Sequence, residues 1–277
     1  MPVIALTQEM GSLAKDVALL VAQEGRLAVM RHEVLEGVAD KMRVPTSVIS
    51  RLREGKAGIV ERMRIDGDKM AVHTASEVFA LAGQGNIVLR GWGATCLLQP
   101  VAHVVTVRIT RPFDERVEWL MGNLGTDDRE FAQAELRRSD DAHASRMHAL
   151  FGVTWGDPLL YDLVINTGRV SVESAAAQVL QLAARPEFQE TEHSRAMLGN
   201  LSLAAAVRSA LKDNEATREV HIDIRGDAGK AVLRGIVVNE QERAEAERVA
   251  TAVAGAGKVD NQLRLMAVSR RFAHAKT

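Results

Sequence analysis

The sequence predicts an α/β domain on a five-stranded parallel sheet, followed by a small separate α+β domain. Three observations lead there. Through residues 1–185, short and almost wholly apolar runs alternate with helical segments, the pattern of strands covered on both faces by crossover helices. After Arg185-Pro186 the periodicity lapses. Beyond that break, runs in which apolar and polar residues alternate flank a turn, the mark of half-buried strands.

Each element can be justified in order. Val3-Ile4-Ala5-Leu6-Thr7 is an apolar strand, and Gln8 to Ser12 is a turn. Leu13, Val17, Leu20 and Val21 then share one helical face. Leu27 to Met30 reads as a second buried strand. Helices are expected over 33–41 and 47–54, the second started by Pro45-Thr46. Asn86 to Leu89 is a third strand, ending at Gly91-Trp92-Gly93, and Val104 to Ile109 is a fourth. Leu163-Val164-Ile165 is the fifth, closed by Asn166-Thr167-Gly168, with helices near 113–122, 127–150 and 171–184. Residues 186–197 read as a linker. The small domain, 198–268, opens with a helical stripe of Leu203, Val207 and Leu211. Val220, Ile222 and Ile224 alternate with Glu219, His221 and Asp223, and a hairpin turn at Asp227 to Lys230 leads into Val232 to Val237. A helix over 240–254 and a strand from Val259 to Leu265 complete an αββαβ order, leaving 269–277 as a tail.

Composition narrows the function. A chain of 277 residues, 47% hydrophobic and 26% charged, can bury its cores without disulfide or metal staples. Lys and Arg number 35 against 36 Asp and Glu, so the electrostatic footprint of a nucleic-acid binder is missing. Aromatic residues, at 4%, leave little for base-stacking platforms. Cys96 is the single cysteine, which excludes an intrachain disulfide and a thiolate zinc cage, and it reads as a small buried residue. His143 and His148 are five apart, so they form no HExxH pair, and no GxSxG elbow occurs. The first residues lack the basic and apolar stretches of a signal peptide, and no apolar run reaches the roughly 18 residues of a membrane span. A cytoplasmic protein without a transmembrane segment is expected.

The chemistry concentrates in the turn after the first strand. Phosphate-binding loops use successive backbone N–H groups, a helix N-terminus and a lysine, commonly spaced GxxxxGK[ST]. The equivalent window is Glu9-Met10-Gly11-Ser12-Leu13-Ala14-Lys15-Asp16. It keeps the lysine, with Glu9 and Ala14 at the glycine positions and Asp16 at the hydroxyl position. Glu9, Gly11, Ser12, Lys15 and Asp16 match a pattern of the cytidylate kinase-like family, R-E-[FY]-G-S-G-G-[RK]-[ED], with Leu13 and Ala14 in place of its two glycines. Met30-Arg31 stands where that family commonly carries Asp-Arg. Phe151 to Trp155 and Asp157 to Gly168 resemble its closing motif, so the resemblance covers residues 1–185. The C-terminal part is similar to a BON domain, carried by Val232-Leu233-Arg234-Gly235-Ile236-Val237, the helix after it, and Val259 to Leu263.

The first resemblance implies a nucleoside-monophosphate kinase architecture with a mobile lid, using ATP and Mg²⁺. Gly11, Ser12, Leu13, Ala14, Lys15 and Asp16 would then hold the donor phosphates, with Asp16 at the metal. As a first-turn acid, Asp16 equally fits a purely helix-stabilising role. Arg31 would hold a CMP-type acceptor. Arg137, Arg138 and Arg146 would close the lid, or else line a solvated helix face. Asp140 matches a family aspartate, while His143 takes a lid arginine's place. Trp92 takes the place of an acceptor arginine, either stacking on a base or packing internally. Arg90, one residue earlier in a strand, should point the other way, and Arg108 and Arg116 read as structural. An active kinase and a pseudokinase that senses nucleotide or acts as a scaffold through its BON-like domain are both consistent with this pattern. The BON resemblance implies a protein or small-ligand partner.

Overall fold

Val3, Ile4, Ala5 and Leu6 are at most 1% exposed because β1 (Val3–Gln8) lies at the centre of a sheet covered on both faces. The structure, a computed structural model, describes residues 1–266. Beside β1 run β2 (Ala28–Met30), β3 (Ile87–Arg90), β4 (Val104–Thr110) and β5 (Leu163–Asn166), in the order β2-β3-β1-β4-β5, every pair parallel. The continuous apolar runs read from the sequence are these strands. β2 is a correction: as an edge strand it leaves Ala28 exposed and Val29 and Met30 half-buried, so it is not a buried strand.

Eleven helices are present among the described residues. Before β3 come α1 (Ala14–Gly25), α2 (His32–Met42), α3 (Thr46–Arg53), α4 (Ile59–Arg64) and α5 (Gly67–Ala82). After it come α6 (Ala94–Leu97), α7 (Phe113–Leu124), α8 (Arg129–Phe151) and α9 (Val172–Ala183). Val17, Val21, Ala176 and Val179 of α1 and α9 pack with Ile4, Leu6, Val88 and Ile109 of the sheet in one core. Val117 and Leu120 of α7 meet Ala132 and Leu136 of α8 in a second, which anchors the N-terminal third of the long α8.

The segment read as a linker is ordered differently. Pro186–Phe188 is a 3₁₀ turn, and α10 (Glu192–Asp213) starts well before the residue expected to open the small domain. Thr191 and Ser194 explain the early start: the Ser194 amide donates to Thr191 Oγ1 at 3.1 Å and the Thr191 amide to Ser194 Oγ at 3.0 Å. This reciprocal pair satisfies donors at the helix N-terminus as a capping box does.

The chain divides into two compact units at Leu198/Gly199, within α10. The second contains β6 (Ile222–Asp227), β7 (Lys230–Val237), α11 (Glu240–Ala254) and β8 (Val259–Leu265), with β7 central, antiparallel to β6 and parallel to β8. Ala228 and Gly229 both have positive φ (47° and 74°), the geometry of a two-residue hairpin whose twist suits the strands it joins. Val207 and Leu211 of the expected helical stripe join Ile224, Leu233, Val237, Ala246 and Leu263 in this unit's own core, with Leu203 packed against it. The tail, 269–277, lies outside the described residues. No helix among the described residues is long and apolar enough to cross a membrane.

Candidate functional site

In a parallel sheet all strand C-termini lie on one edge, where open α/β folds bind their ligands. The turn between β1 and α1 sits there. Its shape is set by Ser12, whose amide and hydroxyl both donate to the Glu9 carbonyl at 3.2 and 2.8 Å, and by Thr167, whose hydroxyl donates to the Ser12 carbonyl at 2.8 Å. Gly11 has φ +81°, and a Cβ there would lie 3.1 Å from Trp119 and 3.2 Å from Arg116 Cβ, so only glycine fits. Leu13 caps α1 in the left-handed region, φ 58°, which a glycine would occupy without strain. Asp16 and Val17 donate their amides to the Leu13 carbonyl, whereas those of Leu13, Ala14 and Lys15 have no protein acceptor among the described residues. These free donors, at the positive end of the α1 dipole, are what an anion uses. Lys15 and Asp16 are exposed, Ala14 is buried, and neither Lys15 nor Asp16 forms an ion pair among the described residues.

Glu9 turns away from the loop. Its carboxylate accepts from Arg108 Nη2 and Thr110 Oγ1, both at 2.6 Å, and from the Arg111 amide at 3.3 Å. It fixes the end of β1 to β4. Arg116, 5% exposed, links loop to lid: Nη1 donates to the Met10 carbonyl at 3.3 Å and to Asp140 Oδ1 at 3.1 Å, and Nη2 to Asp140 Oδ2 at 2.7 Å. Asp140 is thereby committed to a two-pronged ion pair.

The lid arginines face two directions. Arg137, exposed, lies over the Phe113 ring of α7 at 5.2 Å. Arg138 pairs with Glu135 and donates to the Glu54 carbonyl at 2.6 Å, and Arg146 donates to the Arg53 carbonyl, so both reach the end of α3. His143 stacks on Trp155 with ring centroids 4.2 Å apart, and Arg108 covers Trp155 at 4.2 Å. Burial, followed by the nearby charges of Arg146, Arg53 and Arg108, pushes the His143 pKa down to about 3, so this imidazole is neutral and structural.

On the acceptor side the alternation of β3 ends at Arg90. Gly91, Trp92 and Gly93 all have positive φ (83°, 63° and 69°), so the extended backbone of β3 does not continue through them. Arg90 lies within electrostatic reach of Arg53, whose guanidinium stacks on the Trp92 ring at 3.5 Å. Trp92 is 7% exposed, and its Nε1 donates to the Arg31 carbonyl at 3.1 Å, so the indole packs under Arg53. Arg31, half-buried at the start of α2, also lies within electrostatic reach of Arg53 and Arg90. Sequence reasoning missed Arg53 altogether; no local motif marks it, since its role comes from tertiary convergence.

Residues 3–169 match the cytidylate kinase-like family. The chain belongs to that family. Residues 201–267 match the BON domain. An uncharacterized protein from Eubacterium ventriosum shares the fold of the cytidylate kinase-like unit: TM-score 0.53 and 19% identity over 67% of this chain and 100% of that one. Shikimate kinase from Acinetobacter baumannii, solved with shikimate, aligns with TM-score 0.41 and 15% identity over 66% of this chain and 92% of its own. A uronate isomerase of Corynebacterium glutamicum is 31% identical over 118 residues, 42% of this chain, and the chain spans 22% of that relative's length.

Cytidylate kinase-like proteins imply Mg²⁺, and the donor set can be tested against it. No group of three or more His, Cys, Asp or Glu side chains that could hold a metal exists among the described residues. Mg²⁺ commonly takes one or two carboxylates, with substrate phosphates and water completing its shell. The exposed carboxylate of Asp16, beside the free amides, fits that role.

Proposed function

We propose that the first unit is a cytoplasmic phosphotransferase that moves the terminal phosphate of ATP to a CMP-type nucleoside monophosphate. The observation that carries this reading is the set of unpaired amides of Leu13, Ala14 and Lys15 at the N-terminus of α1, next to an exposed and unpaired Lys15. Within the loop from Gly11 to Asp16, the free amides of Leu13, Ala14 and Lys15 and the Lys15 ammonium would hold the β- and γ-phosphates, and Arg31 the acceptor. Asp16 would hold Mg²⁺, whose charge offsets that of the donor phosphates. An acceptor phosphate oxygen forms the new P–O bond as the bond to the β-phosphate oxygen breaks, releasing ADP and a nucleoside diphosphate. Such transfer asks for positioning and positive charge rather than covalent help. Arg137, exposed beside α7, is the lid arginine best able to swing over the transferring group.

A second reading is a nucleotide sensor without turnover, signalling to a protein or small ligand of the BON-domain unit. It is favoured by the engagement of Arg138 and Arg146 with carbonyls of α3 and its cap, and by Leu13 and Ala14 where glycines would let backbone approach phosphate. ADP formation from ATP–Mg²⁺ and CMP separates the two. Turnover that Lys15→Ala abolishes supports the kinase; binding without turnover supports the sensor; absence of both binding and turnover rejects both.

A further inference from the structure

Four guanidiniums converge at the C-terminal end of β3. Arg53 lies on Trp92, Trp92 donates to the backbone of Arg31, and Arg146 donates to the backbone of Arg53. Arg90, 7% exposed, reaches Gln8 Oε1 at 3.3 Å through Nη1, while its buried Nε has no hydrogen-bond partner. Among the described residues none of the four side chains has an ion pair. Such a group of like charges is costly, and an orphaned donor adds the desolvation penalty of an unmade hydrogen bond. Burial first, then mutual repulsion with Arg146, Arg31 and Arg90, pushes Arg53 down to about 9, and burial followed by Arg31 pushes Arg90 down to about 10. The carboxylates of Asp16 and Glu54 act on Arg90 and Arg53 respectively, neither as an ion pair among the described residues.

We propose that Arg53 and Arg90, with Arg31 and Arg146, form a binding site for the dianionic phosphate of a phosphate monoester, with Trp92 as the wall that holds the Arg53 fork. Planar guanidiniums suit two-pronged contact with phosphate, and the unused Nε of Arg90 supplies a donor already stripped of water. The site takes over the part an arginine at position 92 would play. The role of its anion as acceptor rests on the phosphotransfer reading, whereas anion binding itself does not.

The probes are inorganic phosphate, CMP and cytidine, followed by thermal shift and titration calorimetry at constant ionic strength on the full chain. Phosphate and CMP should raise the melting temperature saturably and cytidine should not. Arg90→Met and Arg53→Gln should each weaken CMP by about tenfold or more, the worth of one charge-assisted contact, while leaving ATP binding at the loop in place. Should Arg90→Met fail to fold, the more exposed Arg53→Gln decides. Unchanged CMP affinity in Arg53→Gln, or equal binding of CMP and cytidine, overturns the inference. Loss of ATP binding in Lys15→Ala is read separately and bears only on the donor loop.

Discussion

Leu13 concentrates the difference between a working loop and a closed one. A non-glycine residue in the left-handed region costs roughly 1–2 kcal/mol, and glycine's extra freedom in the unfolded chain costs roughly 0.5–1 kcal/mol. Leu13→Gly is therefore expected to change stability by less than about 1 kcal/mol in chemical denaturation. Its ATP affinity should rise several-fold, because the backbone can then approach the phosphates; an unchanged affinity would mean that Leu13 does not limit the loop. His143 gives a second residue-scale expectation. The unfolded imidazole takes up its proton near pH 6.5, but the folded one resists until about pH 3. The unfolded state thus binds more protons in this window, and the stability His143 contributes above about pH 6.5 is lost as pH falls toward 3. His143→Phe, which keeps an aromatic ring against Trp155, should flatten the fall in melting temperature between pH 6.5 and 4. Lys15 and Asp16 were legible because the loop motif is local. Arg53 and Arg90 were not, because four arginines drawn from three helices or caps and one strand meet only in the fold.

At the scale of elements, α8 depends on the Arg116–Asp140 pair. Asp140→Asn leaves a guanidinium that is 5% exposed with, among the described residues, only the more distant Glu9 at 3.7 Å for countercharge. Uncompensated buried charge is destabilising by several kcal/mol, less where one partner is partly exposed, as Asp140 is. A loss of about 2 kcal/mol is expected, with faster amide exchange in the middle of α8; wild-type exchange there would show that the pair does not hold the helix. The strands were legible from continuous apolar runs, and α8 from its length. β2 was overread, since an apolar run cannot reveal that a strand lies at the edge. α5 escaped because His73 and Ser76 occupy buried positions and break the apolar period on which a helix reading depends. The start of α10 at Glu192, inside the segment read as a linker, was not legible because a Thr191–Ser194 cap carries no hydrophobic signal.

For the whole molecule, the second unit's core is separate from the two cores of the first, so the units are expected to be separable. The second has its own interior, running from Val207 to Leu263, and a fragment starting at Glu192 is expected to give a cooperative thermal melt by circular dichroism. A non-cooperative melt would show that this core needs the first unit. The family and both architectures were readable in the sequence, since motif and periodicity agree there; whether the site turns over was not, because Leu13, Ala14, Trp92 and His143 alter motif positions. The most direct measurement is calorimetric titration of the full chain with ATP–Mg²⁺, beside Lys15→Ala. Saturable binding that the substitution weakens by about tenfold or more is the expected result, placing the donor phosphates on the Leu13–Lys15 amides. Absence of binding, or equal affinity in the variant, would contradict that assignment.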